Sequence, residues 1–265
     1  MSDIVPKIIF IVPYRDREEE LSIFRNGMQH LQNVYKDDVQ LMIIHQCDSR
    51  DFNRGAMKNI GFQVVKKIYP TTYNDITLVF NDVDIAPTSD CKINYQTQIG
   101  IVKHFYGYKH TLGGIVAINA GDFESINGFP NFWTWGYEDK VLQKRIEKKN
   151  LLIDRSEFLE INQKEETIQT EKFILTPGNH VRKISKEEAL YSVQDIAIGL
   201  NDLRNVEYNI SDNDFVNVTS FQTSNKIPEI QKEYIRGNNQ NIEQILGIGR
   251  RGRRGRRGGR WRKII

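Results

Sequence analysis

Short runs of β-branched and aliphatic residues alternate along this chain with stretches whose apolar side chains recur every three or four positions, and that alternation confines it to an α/β fold. Lys7–Val12 reads as a buried strand, and Leu21, Phe24, Met28, Leu31 and Tyr35 then lay one helix face on a sheet. Val39–His45 is a second strand. A second helix from about Asn53 carries Met57, Ile60, Val64 and Ile68 on one side. Asp75–Phe80 is a third strand, apolar enough to be central, Ile115–Ile118 a further one, and Asp139–Lys149 a helix. Beyond residue 150 the periodicity weakens, leaving a strand at Phe173–Leu175 and a helix through Ser185–Leu203 begun by a capping-box sequence. The expected fold is a single α/β domain, Rossmann-like, with a mixed, mostly parallel central sheet over residues 1–224. A polar linker or peripheral segment at 225–248 and an Arg/Gly-rich tail at 249–265 follow it.

The net charge of +3 hides an asymmetry. Nine Arg or Lys and no acid fall in the last 17 residues, so the first 248 hold 28 basic against 34 acidic residues. Any affinity for nucleic acid or acidic surfaces is therefore expected of the tail and not of the body. Two cysteines, Cys47 and Cys91, exclude a disulfide scaffold and a zinc ribbon. Near the N-terminus the longest apolar run is Ile8–Val12, far short of the roughly 20 residues that span a membrane. The chain is expected to be soluble and cytoplasmic, with no transmembrane anchor.

Parallel α/β sheets bind ligands at the carboxyl ends of their strands. Three polar groups fall on such ends: Tyr14-Arg15-Asp16, then Asp48 with Arg54, then Asp82-Val83-Asp84. Two acids one residue apart are a weak signal, and Asp212-Asn213-Asp214, which no apolar strand precedes, reads as a loop. Asp82 and Asp84 leave a rigid strand end, where hard oxygen ligands suit Mg²⁺ or Mn²⁺ bridging a diphosphate; the other reading is two acids satisfied by backbone donors at a turn. Between Ile126 and Asp139 five aromatic rings and three Gly/Pro breaks lead into Glu138-Asp139. Aromatic faces beside paired carboxylates suit a sugar, and a carboxylate opening a helix is favoured as an anion and serves as a base. A core plug with an acidic cap is the alternative. Of the histidines, His30 and His45 read as structural, His104 and His110 as loop residues, and His180 as a loop residue after the Pro177-Gly178 turn.

These segments together resemble the β-1,4-galactosyltransferases, metal-dependent inverting glycosyltransferases with the GT-A-type fold, over about residues 8–221. Ile11-Val-Pro-Tyr-Arg-Asp-Arg-Glu-Glu is similar to the family's opening loop, Phe52-Asn53-Arg54 to its uridine-contacting triplet, and Asp82-Val-Asp-Ile-Ala-Pro to its metal motif. Gly113-Gly114, Ile126-Asn-Gly-Phe-Pro and Trp133-Thr-Trp-Gly-Tyr-Glu-Asp match its sugar-holding signature, and Gly199-Leu-Asn-Asp-Leu echoes a later block. The resemblance implies that Asp84 and His180 bind Mn²⁺, with Mg²⁺ as the weaker fit because imidazole is the softer ligand. It further implies donor contacts from Pro13, Arg15, Arg17, Phe52, Arg54, Asp82, Val83 and Gly114, a sugar site lined by Trp135, and Asp139 with Glu138 as the catalytic pair. The implied reaction moves a hexose or N-acetylhexosamine from UDP-Gal or UDP-GalNAc to a carbohydrate hydroxyl.

Three departures stand against that pattern. Lys140 replaces a third acid after Glu138-Asp139, and Pro177 and Gly178 stand where a further metal ligand is usual. Thr111 occupies a place where some relatives carry a large Tyr that restricts the donor to galactose. With the N-terminal span of Golgi relatives lacking, the expected source is bacterial or viral, or the chain is a shortened form. The alternative function is a UDP-sugar-binding protein with weakened turnover and an RNA- or anion-binding tail.

Overall fold

The computed structural model describes residues 4–133, 136–161, 168–169, 173–175, 181–184, 198–211, 214–224 and 232–235. In chain order they form β1 (Ile8–Tyr14), α1 (Glu18–Tyr35), β2 (Val39–Gln46), α2 (Arg54–Ile68), β3 (Thr77–Asn81), β4 (Ile85–Pro87), β5 (Ile101–Gly107), β6 (Ile115–Asn119), α3 (Ala120–Ser125) and α4 (Glu138–Lys148). Shorter strands follow: β7 (Leu152–Asp154), β8 (Leu159–Glu160), β9 (Ile168–Gln169), β10 (Phe173–Leu175) and β11 (Val181–Ile184). The last are β12 (Arg204–Ser211), β13 (Phe215–Gln222) and β14 (Lys232–Ile235).

The main sheet runs β12-β13-β2-β1-β3-β6-β5-β7, with β8 also on β5. The β13·β2, β2·β1, β1·β3, β5·β7 and β5·β8 pairs are parallel, and β12·β13, β3·β6 and β6·β5 antiparallel. This is the mixed, mostly parallel sheet the sequence leads one to expect. Successive side chains of a strand point to opposite faces, and β1 shows both faces covered. Ile8, Phe10 and Val12 pack with Phe24, Met28 and Leu31 of α1, whereas Ile9 and Ile11 pack with Met57 and Ile60 of α2. Burying each such side chain contributes about 1.5–3 kcal/mol, which explains why these strands are apolar without a break. With α1 on one face and α2 on the other, chain order reverses at β1, and in parallel α/β sheets ligands bind at such a reversal, beyond the carboxyl ends of the strands, here β1, β2 and β3.

Three readings change. His104 is not in a loop but buried within β5, because its ring nitrogens find partners there. The 204–222 region, read as weakly periodic, is the β12–β13 hairpin, and β13 extends the parallel part of the sheet beside β2. Of the expected helix to Leu203, residues 185–197 lie outside the described ones. Leu200–Asp202 is one 3₁₀ turn, pinned because Leu200 N donates to Asn127 O (3.1 Å) and Asn201 N to Asn127 Oδ1 (3.0 Å). Within 225–248, β14 pairs antiparallel with β11. Among the described residues no helix is long and apolar enough to cross a membrane.

Candidate active site

The site is organised by the first two turns of α2. Asn53 caps that helix by accepting from Ala56 N at 2.9 Å, and its own N–H donates to Gln46 Oε1 at the end of β2 (2.8 Å). This places Arg54 at the helix's first position with its guanidinium turned inward. It donates to both carboxylate oxygens of Asp82 and, at 2.8 Å, to Glu138, and it stands 3.6 Å from Asp139 Oδ2. Burial opposes a charge there, but Asp82, Asp139 and Glu138 outweigh it and hold the guanidinium above its ordinary pKa. Lys58, one turn on, is 2% exposed, with Nζ 3.5 Å from Asp139 Oδ1 and 3.9 Å from Asp82 Oδ1.

The carboxylates come from two other places. Asp82 follows β3 directly, its N–H donating to Gly114 O at 3.1 Å, and Gly114 takes a φ of 74° that a side chain would strain. Glu138 and Asp139 open α4 behind Tyr137, whose φ of 68° is left-handed, and Gly136 N donates to Glu138 Oε2 at 2.9 Å. Burial foremost, then the charge of Asp139, raises the Glu138 pKa, against the opposing pull of Arg54 and Lys58. Gly113 lies so close to Asp139 that a Cβ on it would stand 2.4 Å from Oδ2. Its carbonyl is held by His104 Nε2 at 3.0 Å, while His104 Nδ1 accepts from Arg155 Nε at 3.1 Å, which fixes the Nε2–H tautomer. Burial foremost lowers the His104 pKa to about 4, so the ring is neutral.

Arg54, Asp82, Gly114, Glu138 and Asp139, all read from the sequence, therefore meet at one place. Arg15 and Phe52 meet beside it, the guanidinium carbon 5.7 Å from the ring centroid, with Arg15 also donating to Arg50 O. Arg50 is braced by Asp48 and lies over Trp133 and Phe221 at 4.5 and 4.4 Å. Pro13 is buried in β1, Val83 is buried in the turn after β3, and Asp84 is half-buried in the same turn. Arg17 precedes α1 and donates to Glu20 at 2.8 Å. Trp135 and His180 lie outside the described residues. The sequence reading missed Lys58; the spacing of four from Arg54 was its only signal.

For a divalent cation, the described residues offer hard oxygens in Asp84 and in the side-chain amide oxygen of Asn81, which is buried with no hydrogen-bond partner, while the Asp82 carboxylate is held by Arg54. That chemistry fits Mn²⁺ or Mg²⁺. Among the described residues no three of His, Cys, Asp and Glu gather as a metal cage.

Two family models match end to end, the N-terminal region of glycosyl transferase group 7 over residues 3–97 and the N-terminal domain of galactosyltransferase over residues 89–170. The chain belongs to the β-1,4-galactosyltransferase family. Beta-1,4-galactosyltransferase 1 of Mus musculus is 32% identical over 158 residues, 56% of this chain and 39% of the relative. Xylosylprotein 4-beta-galactosyltransferase of Caenorhabditis elegans is 34% identical over 162 residues, 56% and 53% respectively. The chain thus spans about half or less of these galactosyltransferases. The fold matches the catalytic domain of Drosophila beta1,4galactosyltransferase 7 in complex with xylobiose, with a TM-score of 0.63 and 23% identity over 84% of this chain and 96% of that one. A mutant of that galactosyltransferase, in complex with manganese, UDP-Gal and xylobiose, matches with a TM-score of 0.61 and 21% identity over the same shares.

Proposed function

We propose that this protein is an inverting glycosyltransferase that moves galactose or N-acetylgalactosamine from its UDP conjugate to a hydroxyl of a carbohydrate acceptor, forming a β-linkage. The observation that carries the reading is that Asp82, on the turn after β3, and Asp139, at the start of α4, face the same two cations, Arg54 and Lys58. A donor-binding corner and a base for the acceptor therefore lie side by side. The manganese and UDP-Gal of the Drosophila complex support the cofactor and the donor class.

Asp139 accepts the proton of the acceptor hydroxyl while that oxygen bonds to the anomeric carbon from the face opposite the departing UDP, so the configuration inverts. Glu138, fixed between Arg54 and Gly136 N, holds the first turn of α4 in place. Arg15, beside Phe52, would bind the nucleotide. Asp84 would hold the cation with His180, and Asp82 would orient the ribose or a metal-bound water. Trp135 would line the sugar site. Bound there, the cation supplies Lewis-acid neutralisation of the diphosphate. Thr111, half-buried shortly before Gly113, is smaller than the Tyr that restricts some relatives to galactose, which makes UDP-GalNAc a donor to test.

The test is UDP release from UDP-Gal and UDP-GalNAc, with and without Mn²⁺, over a panel of sugar acceptors. Release that depends on acceptor and metal is expected, and D139N is expected to lower kcat by about 10²–10⁴-fold while UDP still binds. A D139N variant as fast as the parent removes the assignment of the base. A second reading, UDP-sugar binding without turnover, is favoured by Lys140, which stands where the family pattern has a third acid after Glu138-Asp139. Calorimetric UDP binding without release from any donor would select it.

A further inference from the structure

Lys58 is a buried cation on a helix whose surroundings ask for an apolar side chain. Its neighbours Met57 and Ile60 are core residues, and its ammonium lies 4.4 Å from the Phe129 ring centroid. Burying an ammonium is costly, and a hydrophobic residue of similar volume is commonly as stable in such a place. The ammonium stands 3.9 Å from Asp82, whose two oxygens Arg54 already holds, and 3.5 Å from Asp139, where it faces a different oxygen from the one Arg54 faces. Oδ1 stands 3.5 Å from Lys58 Nζ, and Oδ2 stands 3.6 Å from Arg54 and against the backbone of Gly113. A carboxylate facing one cation can rotate about its Cβ–Cγ bond and turn either oxygen to that cation. Facing two cations with one oxygen each, and with Gly113 closing one side, it has a single orientation.

We propose that Lys58 is a positioning residue that fixes the rotation of the Asp139 carboxylate, so that one oxygen is aimed where the acceptor hydroxyl arrives. The inference rests on the transfer reading above and adds to it a residue from the interior of α2. Misplacing a reacting group by about 1 Å costs up to about 10²-fold in rate, while ground-state binding of a donor that does not touch Lys58 is spared.

The experiment compares the full chain with K58M, K58R, D139N and K58M/D139N, using the donor and acceptor pair found active. Melting temperatures run in parallel. K58M is expected to melt within a few degrees of the parent, to lose about tenfold or more in kcat, and to keep its KM for the UDP-sugar within about twofold. K58R, which restores a cation, is expected to recover most of the lost rate. In the D139N background, K58M should add less than about twofold, because a residue acting through Asp139 has nothing left to act on. If K58M does not fold, K58Q takes its place in the same cycle. Multiplicative losses in the double variant, a K58M rate within about twofold of the parent, or a matching rise in donor KM would each overturn the assignment. An inactive parent that still binds UDP would instead remove the transfer reading, and the role of Lys58 with it.

Discussion

Arg54 donates to Asp82 and Glu138 and stands 3.6 Å from Asp139, and Glu138, at 2% exposure, has Arg54 as its nearest cation at 2.8 Å. Removing the cation from a buried pair leaves an uncompensated charge, which costs about 3–5 kcal/mol. R54M is therefore expected to lower the urea midpoint of the chain steeply, and E138Q/R54M, which removes both charges, to recover part of that loss. A double variant no more stable than R54M would mean that the pair is not what holds α4 to α2. His104 gives a second prediction. Its pKa is 6.5 unfolded and about 4 folded, so between those values the unfolded chain carries a proton that the folded chain lacks. The stability from the neutral ring is complete above pH 6.5, shrinks as pH falls, and is lost by about pH 4. The change amounts to about 3 kcal/mol. H104F loses the bond to Gly113 O and starts less stable at pH 7, but its stability should fall less between pH 6.5 and 4.5 than that of the parent. Equal slopes in denaturant titrations at several pH values would rule this out. Neither Lys58 nor His104 was legible as a site residue, because the meaning of each depends on partners from other elements. Asp82, Glu138 and Asp139 were legible because strand ends and helix starts announce themselves locally.

At the scale of elements, what brings the site together is the docking of α2 on the 129–131 loop. Asn59 donates to Phe129 O and to Asn131 Oδ1, both at 2.8 Å, and accepts from Phe129 N at 2.9 Å. Gly55 permits that approach, since a Cβ there would lie 2.0 Å from Pro130 O. G55A should push the helix off the loop, costing about 1–3 kcal/mol, and should lower transfer more than a surface change of equal cost, because Arg54 and Lys58 move with the helix. Unchanged melting and rate would show that the loop yields freely. The same packing explains what the sequence hid. A single apolar stripe was read on α2, whereas Arg54 through Phe62 is buried on every side, so nothing in that stripe singled out Lys58. The strands β1, β2, β3 and β6 were legible because helices or loops cover both their faces and leave unbroken apolar runs. β5 was not, because Lys103 and His104 interrupt it, and β12 was not, because as an edge strand it buries no residue fully. In β13 the spacing breaks between Val218 and Phe221, which blurs the alternation.

For the whole molecule, the charge asymmetry separates two kinds of binding. The acidic first 248 residues contain every described element, and the nine cations follow them. A chain ending at Leu246 keeps β14 and its pairing with β11. It should therefore melt at the same temperature as the full chain and release UDP within about twofold of its rate. The full chain, by contrast, should be retained on immobilised single-stranded RNA at low salt. That retention should weaken with a log–log salt slope of at most about −6, since each neutralised phosphate contributes about 0.7. The shortened chain should elute with no such dependence, because a body of net negative charge repels a polyanion. Equal retention of both chains would place the RNA-binding surface on the folded body, whereas a loss of UDP release on truncation would make the tail part of the catalytic unit. Measuring retention and release on the same two proteins separates those outcomes, since a misfolded truncation would lose both its melting transition and its UDP release.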